Sequence, residues 1–203
     1  MEVIRENISL ASFCQRMERN FRHVAQEKGL DFIVERKEGT PELILTDEGK
    51  LEQITNNLLG NAFKFTKSGF VKASFAPSPD GKRLLGAVSD SGIGIPAAKL
   101  DDVFEAFEQV DASTRRQFGG TGLGLAISRS LATLLGGTLT VESVEGEGST
   151  FRLELPLSEV PAGAVPTRPP APEPAPVVRR PQVAVTIEDD REHLEEDKPR
   201  ILI

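Results

Sequence analysis

The chain has 203 residues, 38% of them hydrophobic, and a formal net charge of −7 at pH 7. It contains neither the roughly 20 consecutive apolar residues of a membrane-spanning helix nor the charged start and apolar core of a signal peptide. The acidic charge argues against nucleic acid as the main partner, and a single cysteine, Cys14, excludes an internal disulfide or a multi-cysteine metal site. We therefore expect a cytoplasmic chain without nucleic-acid or membrane contact, whose parent protein can still be membrane-anchored.

Apolar residues at spacings of three and four predict helices, and short apolar runs between turn residues predict strands. Asp47 is a plausible N-cap, and Gly136-Gly137 is a plausible helix stop. The predicted elements in chain order are a helix over 10–28, strands over 31–36 and 43–46, a helix over 48–66, strands over 70–75 and 83–89, a helix over 122–135, and strands over 138–143 and 150–155. Strands clustered beside a few helices favour the α+β class, with a mixed sheet and helices on one face.

Glycine and proline occupy different parts of the sequence. Twelve of the 18 glycines lie in residues 81–148, and nine of the 14 prolines lie in residues 161–199. This separation predicts one domain with glycine-built loops over 1–157, followed by a disordered proline-rich and acidic linker over 158–199. The last four residues, 200–203, have the character of a buried strand that begins a further domain.

The predicted helix over 48–66 carries a polar stripe beside its apolar one. At 100° per residue, Asn57, Asn61 and Lys64 fall on one helix face. An amide oxygen is a neutral ligand suited to Mg²⁺, and a lysine one turn away can contact phosphate oxygens. The alternative is an ordinary solvated helix face, which the stripe alone does not exclude.

Two glycine loops follow in the sequence. In the first, 88–96, Asp90 comes at a strand end, where a carboxylate can accept a hydrogen bond from an exocyclic amine, and Gly92 and Gly94 let the backbone approach a flat ring. The second, 118–126, runs into a helix whose N-terminal N–H groups and dipole favour an anion. An Asx-type turn and a flexible hinge are the respective alternatives.

Together these motifs resemble the ATP-binding catalytic domain of sensor histidine kinases, a branch of the gyrase–Hsp90–histidine kinase–MutL ATPase superfamily. The matching sequences are NNLLGNAFKFT (56–66), DSGIGIP (90–96), FEAFEQ (104–109) and GGTGLGLA (119–126), which resemble the N, G1, F and G2 boxes. The resemblance covers about residues 1–157. It implies a Bergerat-type ATP-binding fold, a two-layer α/β sandwich whose mixed sheet is covered on one face by helices, with ATP and Mg²⁺ as cofactors.

The resemblance also implies a role for each site residue. Asp90 would bind the adenine amino group, Asn61 would ligate Mg²⁺, and Lys64 would contact phosphate. Phe65 would pack near adenine, and residues 105–120 would form the ATP lid. The other nucleotide contacts that it implies are Asn57, Gly92, Gly94, Phe107, Arg115 or Arg116, Gly120, Thr121, Gly122, Leu123, Gly124 and Thr150.

Asn57 bears on the type of reaction. In the superfamily's hydrolysing ATPases this position is a glutamate that activates water, and an amide cannot accept that proton. The resemblance therefore favours an ATP:protein-histidine phosphotransferase, with Asn57, Asn61 and Lys64 as the expected catalytic residues. The alternatives are an anti-sigma-type serine kinase and a nucleotide-binding pseudokinase scaffold.

The phosphoacceptor is missing from the chain. The family phosphorylates a histidine on a separate dimerisation helix, and neither His23 nor His193 lies in a matching sequence. We therefore expect a fragment of a homodimeric parent whose histidine-bearing dimerisation domain precedes this chain. The closing sequence PRILI resembles the first strand of a response-regulator receiver domain. The expected parent is thus a hybrid kinase, with a receiver that follows the proline-rich tether or acts in trans.

Overall fold

The structure, a computed structural model, describes residues 2–105, 122–158 and 164–167. Its strands are β1 (Glu6–Ser9), β2 (Asp31–Arg36), β3 (Leu43–Thr46), β4 (Phe70–Pro77), β5 (Arg83–Asp90), β6 (Thr138–Val144) and β7 (Gly148–Pro156). Its α-helices are α1 (Leu10–Lys28), α2 (Glu48–Phe65) and α3 (Gly124–Leu134). Two single-turn 3₁₀ helices, Ala97–Lys99 and Asp102–Phe104, follow β5.

The strands form two sheets. The larger is five-stranded with the order β2-β4-β5-β7-β6, in which β2 and β4 are parallel and the other neighbours are antiparallel. The smaller pairs β1 with β3 in antiparallel register. The sheet is therefore mixed, and the α+β prediction is confirmed.

Alternation along the central strands decides which sheet face the helices cover. In β5 and β7 every second residue is buried, including Leu84, Val88, Phe151 and Leu153, and these side chains join the core that the helices also line. On the other face, ion pairs such as Lys72 with Glu35 lie at the surface. One sheet face therefore packs against helices and the other carries polar residues, as in the expected two-layer sandwich.

Capping residues define where the first two helices begin, and a left-handed glycine defines where α1 ends. Ser9 caps α1 by accepting a hydrogen bond from the Ser12 N–H, and α1 ends at Gly29, which has a left-handed φ of 64°. The Asp47 carboxylate accepts the Lys50 N–H at 3.0 Å, so the predicted cap of α2 is confirmed. The C-terminal end of α2 lies beside the loop after β5, where the Ile93 N–H donates to the Phe65 carbonyl.

Some boundaries differ from the sequence prediction. The short strand β1 was not predicted, because ENIS has no alternating apolar pattern and becomes a strand only by pairing with β3. The helix α3 begins at Gly124 rather than at Gly122, whose φ of 68° lies outside helical geometry. Among the described residues, no helix has the length and apolar character needed to cross a bilayer.

Candidate nucleotide-binding site

A buried carboxylate lies at the end of β5. Asp90 is only 8% exposed, and its Oδ1 accepts a hydrogen bond from the Gly92 N–H at 2.8 Å. Burial raises the pKa of this carboxyl above its usual value, although the N–H groups of Gly92 and Ser149 and the Thr66 hydroxyl oppose that rise. A carboxylate whose charge is under-stabilised by the protein is well suited to a ligand that brings a further donor.

The Thr66 hydroxyl provides a second sign of incomplete hydrogen bonding at this point. Thr66 follows the last residue of α2 and is 1% exposed. Its oxygen is close enough to Asp90 to lower that carboxyl's pKa, but it makes no hydrogen bond of good geometry with the described residues. Buried hydroxyls usually have a partner, so the pair formed by Asp90 and Thr66 fits a polar ligand such as the amino edge of adenine.

The loop that follows Asp90 is held on both sides by hydrogen bonds. The Ile93 N–H donates to the Phe65 carbonyl at 3.4 Å, and the Gly146 N–H donates to the Ile93 carbonyl at 2.8 Å. The Ile95 N–H donates to Ser143 Oγ at 2.8 Å. The loop is therefore fixed between the end of α2 and the β6–β7 hairpin, and Asp90 sits at the root of a rigid turn.

The two loop glycines are required by this close packing. A Cβ on Gly92 would lie 2.7 Å from both Asp90 Oδ1 and the Phe65 carbonyl oxygen. Gly94 has a φ of 67°, and a Cβ there would overlap the Val144 carbonyl. The sequence prediction gave these glycines a role in approaching a flat ring, whereas the structure supplies an internal reason: the backbone segments leave no room for a side chain.

The predicted polar stripe lies on α2, whose C-cap residue is Thr66. Asn57, Asn61 and Lys64 all lie within α2 and are half-buried, as residues that line a cleft would be. Lys64 Nζ lies 4.9 Å from the centre of the Phe65 ring, a cation–π distance. The structure thus places the predicted phosphate contact and the predicted aromatic neighbour of adenine in mutual contact.

Asn57 connects α2 to the start of α3. Its Nδ2 donates to the Gly124 carbonyl and to Ser128 Oγ, both at 3.2 Å. Ser128 is fully buried, so this amide is fixed between the two helices. At the N-cap position of α3, Leu123 supplies no side-chain hydrogen bond, which leaves the first N–H groups of the helix suited to an anion.

Part of the predicted site lies outside the described residues: Phe107, Arg115, Arg116, Gly120 and Thr121, together with the predicted lid beyond Glu105. The residues just before that segment are anchored to β7 and α3. Phe104 packs edge-on against Phe151 with ring centres 6.3 Å apart, and the Arg129 guanidinium lies 5.1 Å from the Phe104 ring centre. Arg129 also pairs with Glu105 at 2.9 Å.

Thr150 does not lie beside Asp90. It pairs with Ser89 on the opposite sheet face, and its hydroxyl donates to Ser89 Oγ at 3.0 Å. The residue opposite Asp90 in the ladder is Ser149, which is buried. The period of two set by Phe151 and the apolar residues after it places 149, not 150, on the covered face, so the sequence contained this signal.

Three further residues of the site were missed by sequence reasoning: Thr66, Ser128 and Ser149. Thr66 stands immediately after the predicted helix, and Ser128 lies one helix turn after Gly124 on the helix face that meets Asn57. The sequence around Thr66 or Ser128 carries no local pattern that distinguishes it from an ordinary hydroxyl residue. Their importance follows from contacts made across long separations in the chain.

With this geometry in place, comparison with known proteins defines the class. Residues 46–159 match the family described as histidine kinase-, DNA gyrase B-, and HSP90-like ATPase. The match covers more than half of the chain, and the protein belongs to this ATPase family.

Individual relatives place it more narrowly. The autoinducer 2 sensor kinase/phosphatase LuxQ of Vibrio parahaemolyticus is 39% identical over 156 residues, which cover 74% of this chain and 18% of LuxQ. Hybrid signal transduction histidine kinase D of Dictyostelium discoideum is 41% identical over 145 residues, which cover 68% of this chain and 9% of the relative. A crystal structure of full-length ShkA in complex with AMPPNP superposes with a TM-score of 0.71 at 33% identity, over 80% of this chain and 33% of ShkA.

The chain is thus an ATP-binding catalytic domain of the sensor histidine kinase type. It spans less than a fifth of the length of the two curated relatives.

Proposed function

We propose that this domain serves a hybrid sensor kinase and transfers the γ-phosphoryl group of ATP to a histidine on a dimerisation domain outside the chain. The observation that carries the proposal is the Asp90 carboxylate, buried at a strand end with a raised pKa. The Asp90 carboxylate would accept the adenine amino group, and the Thr66 hydroxyl lies close enough to take part. Membership of the ATPase family and the two named relatives support this ligand.

The helix α2 sets the direction in which the nucleotide would lie. Thr66, beside Asp90, and Asn57, beside the start of α3, are nine residues apart, or about 13 Å along the helix axis at 1.5 Å per residue. Asn61 and Lys64 lie between them in the sequence, on the helix face that carries Asn57. We infer that the base binds at the C-terminal end of α2 and that the phosphates extend along it toward the N-terminus of α3.

The residues along this path fit a triphosphate with Mg²⁺. The Asn61 amide offers a neutral oxygen of the kind that Mg²⁺ accepts, and Lys64 offers a positive charge to phosphate oxygens. The N–H groups at the start of α3, where Leu123 supplies no side-chain cap, offer further donors. Mg²⁺ would neutralise charge on the β- and γ-phosphates, while Asn61 would help to hold it in place.

Asn57 acts as a positioning residue in this proposal. Because its Nδ2 hydrogens bond to Gly124 and Ser128, it fixes the first turn of α3 against α2. An amide cannot take a proton from water, so Asn57 does not favour ATP hydrolysis. In the transfer, the bond from the γ-phosphorus to the ADP oxygen breaks and a bond to an imidazole nitrogen forms, while the imidazole loses a proton.

The acceptor is expected on another domain of the parent protein. His23 is exposed on α1, and His193 lies outside the described residues. We infer a homodimeric parent with a histidine-bearing dimerisation domain, and a receiver domain beyond residue 203 or in trans. Because ATP is a cytosolic nucleotide, we also infer that the domain works in the cytoplasm.

Calorimetry and reconstitution test the proposal. The 203-residue chain should bind ATP in the presence of Mg²⁺, and Asn61→Ala should lose the Mg²⁺-dependent part of that affinity. With a dimerisation domain supplied, radiolabel from the γ-phosphate should appear on that domain as acid-labile, alkali-stable phosphate. The matched control is the same domain with its acceptor histidine replaced by glutamine. A folded chain that does not bind ATP, or acid-stable phosphate on serine, would contradict the proposal.

A further inference from the structure

The outer edge of β1 is occupied by a segment from far along the chain. The Asn7 N–H donates to Thr167 Oγ1 at 3.2 Å, and the Thr167 N–H donates to the Asn7 carbonyl at 2.9 Å. Asn7 lies opposite Leu45 in the β1–β3 ladder. In an antiparallel pair, every second residue directs both backbone groups away from its partner strand, and Asn7 is such a residue.

Thr167 is chemically suited to this edge. Its hydroxyl accepts the Asn7 N–H in place of the backbone carbonyl that a full strand would use, and its own N–H completes the exchange. Pro166 before it and Pro169 and Pro170 after it have no N–H to donate. The proline-rich sequence therefore permits a contact centred on one residue and disfavours a longer ladder.

The strand that receives this contact is itself fixed to the domain. The Ile4 N–H donates to Asp47 Oδ2 at 3.0 Å, and Lys50 Nζ donates to the Glu2 carbonyl at 2.8 Å. β1 is further paired with β3. The N-terminal segment thus forms a stable surface onto which a later part of the chain can dock.

We propose that the outer edge of β1 is the docking surface for the start of the proline-rich tether, with Thr167 as the residue that holds it. Docking would make Thr167, beside the N-terminal strand, the point from which the rest of the sequence leaves the catalytic domain. Nine residues, 159–167, no longer contribute to the reach of the tether. At about 3.1 Å per residue in an extended proline-rich chain, that reach is shortened by roughly 28 Å.

The point at which the tether leaves the catalytic domain affects which targets an attached domain can reach. The effective concentration of a tethered domain depends on the length of its linker and on where the linker starts. A domain attached beyond residue 203 would therefore search for its target from the N-terminal edge of the catalytic domain. This last step rests on the proposed function, because the identity of that attached domain does, whereas the docking contact itself does not.

Amide hydrogen exchange on the 203-residue chain tests the docking. Thr167→Val keeps the shape of the side chain but removes the acceptor of the Asn7 N–H, and Thr167→Ser keeps that acceptor. We expect Thr167→Val to reduce the protection of the Asn7 and Thr167 amides by about fivefold or more, the factor that corresponds to one hydrogen bond. Thr167→Ser should retain protection, and so should Val165→Ala at a side chain that is 73% exposed.

The outcomes separate this proposal from the proposed function. Unchanged Asn7 protection in Thr167→Val, or the same loss in Thr167→Ser, would overturn the docking. Calorimetric ATP affinity should be equal in the wild type and in Thr167→Val, since neither hydrogen bond lies in the nucleotide site. A wild-type chain that fails to bind ATP but shows the hydroxyl-dependent protection would contradict the proposed function and leave the docking intact.

Discussion

Two regions of the molecule each contain a buried aspartate, and the two carboxyls are perturbed in opposite directions. At the start of α2, Asp47 is 7% exposed. Its Oδ1 accepts the Lys50 N–H, and its Oδ2 accepts the Ile4 N–H and Lys50 Nζ. Burial favours a higher pKa for Asp47, but the hydrogen bonds from Lys50 and Ile4 together outweigh it and lower the pKa. At the end of β5, Asp90 is 8% exposed and its pKa is raised, because there burial outweighs the hydrogen bonds.

Two differences separate the sites: Asp90 lies deeper in the protein than Asp47, and the donors that the described residues supply to Asp90 are neutral, whereas Lys50 brings a positive charge to Asp47. Asp47 receives its hydrogen bonds from the protein itself, so its charge is stabilised by folding and its role is structural. The neutral donors at Asp90 do not offset its deeper burial, and the Thr66 hydroxyl next to it lacks a well-formed hydrogen bond with the described residues. A site that folding leaves incomplete in this way is one that a ligand can complete.

The largest expected effect is on stability, at Asp47. Replacing it with alanine removes an N-cap, which costs about 0.5–2 kcal/mol, and also the buried partner of Lys50. We expect Asp47→Ala to lower the free energy of unfolding by about 3 kcal/mol, measured by chemical denaturation. The fraction that remains folded should bind ATP with near wild-type affinity, since Asp47 is not in the nucleotide site.

Asp47→Asn is the matched control for that variant. Its side-chain oxygen can still cap α2, while the charge opposite Lys50 is lost, so the expected loss of stability is intermediate. If both variants kept full stability, the structural role assigned to Asp47 would be wrong.

The second prediction concerns Asp90, where we expect a loss of ATP affinity with little loss of stability. Asp90→Asn keeps the shape but replaces a charged acceptor, and hydrogen bonds to charged groups contribute about 1.5–3 kcal/mol. We expect ATP affinity to fall by about 30-fold, or about 2 kcal/mol, in calorimetry. The free energy of unfolding should change by less than about 1 kcal/mol, because the charge that is removed was poorly stabilised. Wild-type affinity in this variant would remove Asp90 from the site.

The opposite behaviour of the two aspartates could be predicted only in part from the sequence. Asp47 stands directly before an apolar-periodic segment, so its role as a cap was predicted and is confirmed. The motif around Asp90 indicated a base-binding carboxylate, but its environment comes from Thr66 and Ser149, which are distant in the chain. Strand register sets which hydroxyl lies opposite the carboxylate: Ser149 is opposite Asp90, and Thr150 is opposite Ser89.

The fold was predictable where local patterns were strong. The helices α1 and α2 and the strands β2 and β3 agree closely with the sequence prediction, because periodicity and capping residues define them. The strand β1 was not predicted, since its four residues have no strand pattern and pair with Leu43–Thr46, whose residues lie 34 to 40 positions later. Contacts of that separation carry no local signal.

A third prediction concerns the packing that holds Asp90. In Gly92→Ala the new methyl group would lie 2.7 Å from Asp90 Oδ1 and from the Phe65 carbonyl, so the loop must shift. Overpacking of this kind costs about 1–3 kcal/mol. We expect ATP affinity to fall by about tenfold in calorimetry.

Gly60→Ala is the control for a glycine substitution as such. Gly60 is exposed within α2, and a Cβ there would meet no atom within 4 Å. Helix propensity predicts a small gain in stability of about 0.5–1 kcal/mol and unchanged affinity. Equal effects of the two substitutions would show that the close contact at Gly92 does not matter.

The smallest expected effect is a pair of opposite pH dependences, measured as unfolding free energies of the wild type relative to Asp90→Asn and to Asp47→Asn. The raised pKa of Asp90 means that the folded protein binds a proton there more readily than the unfolded chain. Its contribution to stability is therefore present at low pH and is lost as pH rises through the raised pKa.

The lowered pKa of Asp47 predicts the reverse pH dependence. The contribution of Asp47 to stability is present above the unfolded value of 3.8 and is lost as pH falls through the folded pKa. On acidification, the wild type should thus gain stability relative to Asp90→Asn and lose it relative to Asp47→Asn. Slopes of the same sign would mean that the burial and the donors of the two carboxyls do not differ as the structure indicates.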